Sequence, residues 1–162
     1  MSRQDWRTPP SVFRALEVKF GPFDCDVAAD EHNHLCGNWI GVTGYGVWGR
    51  RNWCNPPFGD ITPFVRRASL LVNFDATTVM LTHSNCCSPW FREASQNATL
   101  YLPDRRISFW HPDEEPGSPD RDTVVWHFGG VPGAVRLISH PDHAKEVRRL
   151  WQEASGQMEL IP

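Results

Sequence analysis

The sequence predicts one α/β domain over residues 1–162, with a mostly parallel sheet, helices on both faces and an antiparallel hairpin at the C-terminal edge. Strand and helix patterns alternate along the first two thirds of the chain, which is typical of a parallel sheet with crossover helices. Two apolar segments, at 105–111 and 122–128, flank a polar, proline-rich loop and predict the hairpin. A chain of 162 residues with 40% hydrophobic residues is long enough for one domain with a substantial core.

The predicted elements begin with a helix over residues 8–20. Thr8 can cap this helix and the prolines after it fit a first helical turn. Phe13, Leu16 and Phe20 fall on one of its faces. The elements predicted after it are, in order, a strand over 23–27, a short helix over 29–36, a glycine-rich loop over 37–49, a strand over 50–54, a helix over 60–72, a strand over 76–83, a short helix over 88–95, strands over 98–103, 105–111, 122–128 and 134–139, and a helix over 141–155.

Composition narrows the class of protein. The formal net charge of −3 does not favour binding to nucleic acid by bulk electrostatics, although a local basic surface stays open. The five cysteines are odd in number and form no C-x-x-C pair, which argues against a disulfide framework and indicates a reducing cytoplasm. His32 with His34, and Cys86 with Cys87, match no known metal-ligand spacing, so no metal is expected. No apolar run is long enough for a membrane span and the N-terminus is not a signal peptide, so we expect a cytoplasmic protein.

Residues 50–60, RRNWCNPPFGD, predict a rigid corner between a strand and a helix. Ligands of open α/β sheets bind beyond the carboxyl ends of the strands, where this corner would lie. Asn55 offers a side-chain oxygen acceptor, Pro56 a carbonyl without an N–H, and Phe58 a flat aromatic face, while Pro57 stiffens the turn.

These groups suit a planar amine such as the exocyclic amine of a nucleobase. Two acceptors that take both amine hydrogens free the nitrogen lone pair and stabilise the positive charge that develops during attack. The electrophile would be a positively charged methyl donor held in line with the amine. The aromatic face would stack on the base, which must leave a duplex to reach such a pocket.

Four segments in this order resemble the phage-type DNA N6-adenine methyltransferases, which are small S-adenosylmethionine-dependent enzymes with a Rossmann-like fold. The resemblance covers residues 6–128. The segments are W-R-T-P-P at 6–10, F-D-C-D-V-A-A-D at 23–30, a tryptophan at 48 followed by N-P-P-F at 55–58, and R-I-S-F at 106–109.

The resemblance implies S-adenosyl-L-methionine as cofactor and the N6 amine of a flipped-out adenine in double-stranded DNA as substrate. It implies that Asn55 and Pro56 hold the amine, and that Phe58 stacks on the ring after the turn at Pro57. The residues that it implies for the methyl donor are Trp6, Thr8, Pro9, Asp26, Ala28, Ala29, Asn33 and Asn55. A carboxylate such as Asp26 can accept hydrogen bonds from the donor's ammonium or ribose hydroxyls.

The sequence departs from the family pattern at two positions and leaves other substrates open. Phe58 stands where many relatives have Tyr, and Arg105 stands where the family has Gly before Arg-Ile. The corner would equally serve the N4 amine of cytosine, an RNA base or a protein glutamine. A non-catalytic nucleic-acid-binding or partner-binding module would keep the fold without needing Asn55. The sequence does not predict the recognition site, the oligomeric state or the biological role.

Overall fold

The computed structural model describes residues 6–156, which contain seven strands and four α-helices. They are α1 (Pro10–Phe20), β1 (Cys25–Ala29), β2 (Trp39–Gly41), β3 (Arg51–Cys54), α2 (Thr62–Leu71), β4 (Thr77–His83), α3 (Pro89–Asn97), β5 (Ala98–Pro103), β6 (Thr123–Phe128), β7 (Val135–Ile138) and α4 (Ala144–Ser155). A 3₁₀ turn at Val72–Phe74 follows α2. The α/β class is therefore confirmed.

The strands form one sheet in the order β2-β1-β3-β4-β6-β5-β7. All neighbouring pairs are parallel except those of β6, which runs antiparallel to both β4 and β5. The carboxyl ends of β1, β3 and β4 consequently meet at one edge of the sheet, where a Rossmann-like fold binds its ligands.

Helices cover both faces of the sheet, as predicted. Side chains alternate along β3, so that Trp53 packs on the α1 face and Cys54 on the opposite face with α2. Helix α1 buries Val12, Phe13 and Leu16, and a proline in its first turn has no N–H to leave unpaired. Glu146 of α4 accepts hydrogen bonds from the backbone and the hydroxyl of Ser11, so α4 lies beside α1.

The predicted antiparallel hairpin between residues 105–111 and 122–128 does not form. Residues 105–111 form no strand, and β6 pairs instead with β4 over six residues and with β5 over four. These ladders bury β6 inside the sheet, while β7, parallel to β5, forms the edge. Two other contacts hold the 105–111 segment. Arg106 Nε donates to Asp122 Oδ1 at 2.7 Å, and the Ser108 N–H donates to His143 Nε2 at 2.8 Å.

Two local predictions between β1 and β3 are also wrong. The segment predicted as a helix over 29–36 forms none: Ala29 ends β1 and the residues after it form bends, because Asp30 Oδ1 accepts hydrogen bonds from the N–H groups of His32 (2.7 Å) and Asn33 (2.9 Å). Such a turn competes with helical hydrogen bonding. The segment predicted as a glycine-rich loop contains the short strand β2, which pairs with β1. No helix in residues 6–156 has the length and apolar character needed to cross a membrane.

Candidate active site

A cleft opens at the carboxyl ends of β1 and β3, on the α1 face of the sheet. Its lining comes from the segment before α1, from β1 and the turn after it, and from the end of β3. The lining residues are Trp6, Thr8, Asp26, Ala28, Asn33, Leu35, Trp53 and Asn55. Segments distant in the sequence therefore meet at the sheet edge where ligands of α/β folds bind.

Asp26 is the carboxylate of this cleft and is only 4% exposed. Its oxygens accept hydrogen bonds from the N–H groups of Leu35 (3.0 Å) and Ala28 (3.4 Å), so the turn after β1 wraps around it. Burial raises the pKa of Asp26 to about 6, and the two backbone hydrogen bonds oppose this rise. Near neutral pH the site thus holds a buried carboxylate that keeps acceptor capacity for a ligand.

The segment before α1, which lines the cleft, is tied to residue 110. Arg7 and Trp110 exchange two backbone hydrogen bonds, of 2.7 and 3.0 Å, and the Arg7 guanidinium carbon lies 5.1 Å from the centre of the Trp110 ring. The Trp6 ring lies 5.6 Å from that of His111. These contacts fix Thr8, which is 3% exposed, against the cleft.

The corner at residues 55–58 follows β3 directly and brings Asn55 to the cleft. The carbonyl of Pro57 accepts a hydrogen bond from the Asp60 N–H at 3.0 Å, which makes the turn into α2. The centre of the Phe58 ring lies 3.7 Å from that of His83, at the end of β4, and 5.8 Å from that of Phe109. An aromatic cluster thus stands next to Asn55.

Buried polar atoms without a hydrogen-bond partner concentrate around this cleft. An unpaired buried donor or acceptor costs about 1–3 kcal/mol, so a group of them at one place indicates a ligand that supplies the missing partners. Those near the cleft, within the part of the chain that the structure describes, are Arg7 Nε, Thr8 Oγ1, Asn55 Oδ1, His83 Nδ1 and Trp110 Nε1.

Comparison with known proteins gives the family. A family model described as DNA N-6-adenine-methyltransferase (Dam) matches residues 1–124. The chain belongs to this family. Two curated relatives carry the name DNA N-6-adenine-methyltransferase. That of Escherichia phage T1 is 33% identical over 101 residues, which cover 59% of this chain and 42% of the relative. That of Haemophilus phage HP1 (strain HP1c1) is 38% identical over 112 residues, covering 64% of this chain and 65% of the relative.

The matches span less than two thirds of either Dam-family relative. No solved structure matches the chain significantly. The resemblance deduced from the four sequence segments is confirmed at the level of the family. The roles of individual residues stay predictions.

Most residues that the Dam-family resemblance implies for the methyl donor line the cleft. Trp6, Thr8, Asp26, Ala28, Asn33 and Asn55 all do so. Pro9 and Ala29 are buried next to lining residues without lining the cleft themselves. The carbonyl of Pro9 accepts the first hydrogen bonds of α1. Ala29 is 1% exposed and buried at the end of β1.

The sequence reasoning missed several residues of this candidate site. Leu35 and Trp53 line the cleft, and His83 and Trp110 contribute unpaired nitrogens. Trp53 sits two positions before Asn55, so strand alternation alone could have placed it on the same face. Burial, followed by the charge of Arg121, lowers the pKa of His83.

No group of three or more His, Cys, Asp or Glu side chains that could hold a metal ion occurs within residues 6–156. The cleft is lined by the acceptors of Asp26 and Asn55 and by the rings of Trp6 and Trp53.

Proposed function

We propose that this chain is an S-adenosylmethionine-dependent DNA methyltransferase that methylates the N6 amine of a flipped-out adenine. The observation that carries the proposal is Asn55 Oδ1, a buried acceptor without a partner at the start of an N-P-P-F corner. Family membership supports the same reaction. The proposal also assigns the protein to the cytoplasm of the host cell, where the DNA lies.

The side chains that line the cleft suit S-adenosylmethionine in their chemistry, and the cleft, with a volume of about 20 Å³, has to widen to admit the whole cofactor. The donor has an ammonium group and ribose hydroxyls, which can donate to the carboxylate of Asp26. The unpaired Thr8 Oγ1 and the rings of Trp6 and Trp53 offer a polar contact and flat apolar surface for the rest of the molecule. The cofactor supplies a methyl group on a positively charged sulfur.

Asn55 and Pro56 hold the amine in this proposal. Asn55 Oδ1 and the Pro56 carbonyl each accept one N–H, so both acceptors stabilise the positive charge that grows on the nitrogen. Neither proline N can compete as a donor, because proline has no N–H. After transfer the methylated nitrogen is acidic and releases its proton without a strong base.

Phe58 supplies the stacking surface for the base. Stacking on an aromatic side chain contributes about 1–3 kcal/mol per base, which offsets part of the cost of removing the adenine from the duplex. Phe109 packs edge-on against Phe58 at 5.8 Å and limits its movement.

The deciding experiment is methyl transfer from labelled S-adenosylmethionine to unmethylated DNA, with the product digested to nucleosides and identified by mass spectrometry. We expect N6-methyladenine. N4-methylcytosine would keep the mechanism of the corner and change the base. If no label enters DNA, the proposed reaction is wrong.

Asn55→Ala tests the corner in the same assay. We expect kcat to fall by at least about 100-fold, because an acceptor that acts on developing charge is removed. Calorimetric affinity for S-adenosylmethionine should stay within about threefold of the wild type. The matched control is Asn73→Ala, at an exposed residue after α2, which should methylate like the wild type. Full activity of Asn55→Ala would remove the corner from the mechanism.

A further inference from the structure

His83 ends β4 immediately beside the N-P-P-F corner. Strands β3 and β4 are parallel, with Cys54 opposite Met80, so continuing this register brings His83 level with Pro57. Alternation places His83 on the face of Leu81, which is the α1 face that carries the cleft. In the same register Asn55 lies level with Leu81, so His83 lies two residues further along β4, on the same face and towards the corner.

The neighbour of His83 favours one of its two tautomers. Arg121 Nη1 lies 3.4 Å from His83 Nε2. A guanidinium has donors only, so this contact favours Nε2 as the acceptor and places the hydrogen on Nδ1. Burial and the charge of Arg121 lower the pKa of His83, which keeps the ring neutral near pH 7.

His83 Nδ1–H is therefore a buried donor without an acceptor. It lies next to the ring on which the base would stack, because the Phe58 and His83 centroids are 3.7 Å apart. The two rings are tilted by 50° and do not form a flat stack. A buried donor without a partner at this place indicates an acceptor supplied by a ligand.

The target base offers such an acceptor beside its amine. In adenine, the ring nitrogen N1 is bonded to the carbon that carries N6 and has a free lone pair. In guanine, the corresponding N1 carries a hydrogen, as N3 does in thymine. A fixed N–H donor at this position pairs with N1 of adenine. With guanine or thymine it would face another N–H donor, and two opposed donors are a strong basis for discrimination.

We propose that His83 Nδ1–H donates a hydrogen bond to N1 of the target adenine, which makes His83 a specificity-determining residue. The inference rests on the proposed adenine methylation. It adds a reader of the base edge to the amine-binding pair Asn55 and Pro56. Arg121 acts through His83 as a positioning residue, since it favours this tautomer.

Substitution of single atoms in the substrate tests this contact. Two DNA duplexes carry 1-deazaadenine or 7-deazaadenine in place of the methylated adenine. For the wild type, 1-deazaadenine should reduce kcat/KM by about 10- to 100-fold, because the donor loses its acceptor. 7-Deazaadenine keeps N1 and should react within about threefold of adenine. Equal rates with adenine and 1-deazaadenine would overturn the proposal.

Variants assign the effect to His83. His83→Phe keeps a ring against Phe58 and removes the donor, so its rate with adenine should fall to its rate with 1-deazaadenine. His83→Asn places an amide N–H near the position of Nδ1 and should restore at least part of the discrimination. If His83→Phe discriminates as strongly as the wild type, another residue reads N1 and the proposal is wrong.

The control is His127→Phe, a half-buried histidine of the neighbouring strand β6 that packs on Phe20 away from the cleft. It should discriminate like the wild type. Should His83→Phe fail to fold, as judged by circular dichroism, the comparison of wild type with His83→Asn on the two duplexes decides the question. A wild type that methylates no adenine contradicts the proposed function, whereas an active wild type that ignores N1 contradicts only the role of His83.

Discussion

Asp26 links the proposed donor site to the stability of the protein. Its carboxylate is 4% exposed, and the two backbone N–H groups that it binds do not fully replace water. The pKa of about 6 expresses that cost. Carboxylates with a perturbed pKa concentrate at functional sites, which supports the proposed role of Asp26 in donor binding.

We expect Asp26→Asn to weaken binding of S-adenosylmethionine by at least about tenfold, because the amide loses one acceptor and the negative charge. Calorimetry measures this affinity directly. Unchanged affinity would remove Asp26 from the donor site.

The same variant should change how stability depends on pH. The folded-state pKa of about 6 lies above the ordinary value of 3.8, so the folded protein holds this proton more tightly than the unfolded chain. The resulting stability is present below about pH 4 and is lost as the pH rises to 6. The Asp26→Asn variant has no titrating carboxyl at this position, so it does not lose this stability as the pH rises. Its free energy of unfolding, compared with that of the wild type, should therefore rise by about 3 kcal/mol between pH 4 and pH 6.5. Urea unfolding at several pH values measures this, and a constant difference would contradict it.

For His140 we expect the opposite dependence of stability on pH. It is 3% exposed, both ring nitrogens lack partners, and burial lowers its pKa to about 4. As the pH falls from about 6.5 to 4, the unfolded chain takes up the proton first, so the folded state loses up to about 3 kcal/mol. His140→Leu should lack this loss in urea unfolding. Equal acid sensitivity of the variant and the wild type would disprove it.

At the scale of elements, the pairing of residue 7 with residue 110 holds the N-terminal wall of the cleft. Trp110→Ala removes the ring beneath Arg7 and should weaken binding of S-adenosylmethionine by about tenfold through freer movement of residues 6–9. Trp90→Ala, which removes a ring packed on the opposite core, is the matched control. It should lower the melting temperature and leave the affinity of the folded protein unchanged. Equal losses of affinity in both variants would show a general effect of unfolding.

The elements also show what the sequence could predict. Asn55 lies directly after β3, so its place at the carboxyl edge followed from topology. Asp26, the second residue of β1, was predicted from the family resemblance. The sequence could not predict the conformation of the turn after β1, because this turn depends on hydrogen bonds to the side chains of Asp30 and Asp26, the latter from the Leu35 N–H. The partners of β6 did not follow either, since pairing between distant strands leaves no local signal.

At the scale of the whole molecule, β7 leaves one edge of the sheet open. Val135 and Leu137 are 61% and 83% exposed, and an apolar edge strand is a template for association. We expect Leu137→Lys to reduce association at high protein concentration, measured by light scattering, without changing methylation. Leu70→Lys, at an exposed leucine of α2, is the control and should associate like the wild type. Equal association of Leu137→Lys and the wild type would show that this edge is not the point of contact.

The reversed strand β6 has a consequence for synthesis on the ribosome. It sits between β4 and β5, so the inner edge of β4 has no partner until residues 123–128 have emerged. The parallel half of the sheet, with Asp26 and Asn55 in place, precedes this strand in the chain by many residues. At about 5–20 residues per second, the nascent chain exposes an unpaired β4 for several seconds. We therefore expect dependence on chaperones to peak in that interval and to end when β6 closes the sheet.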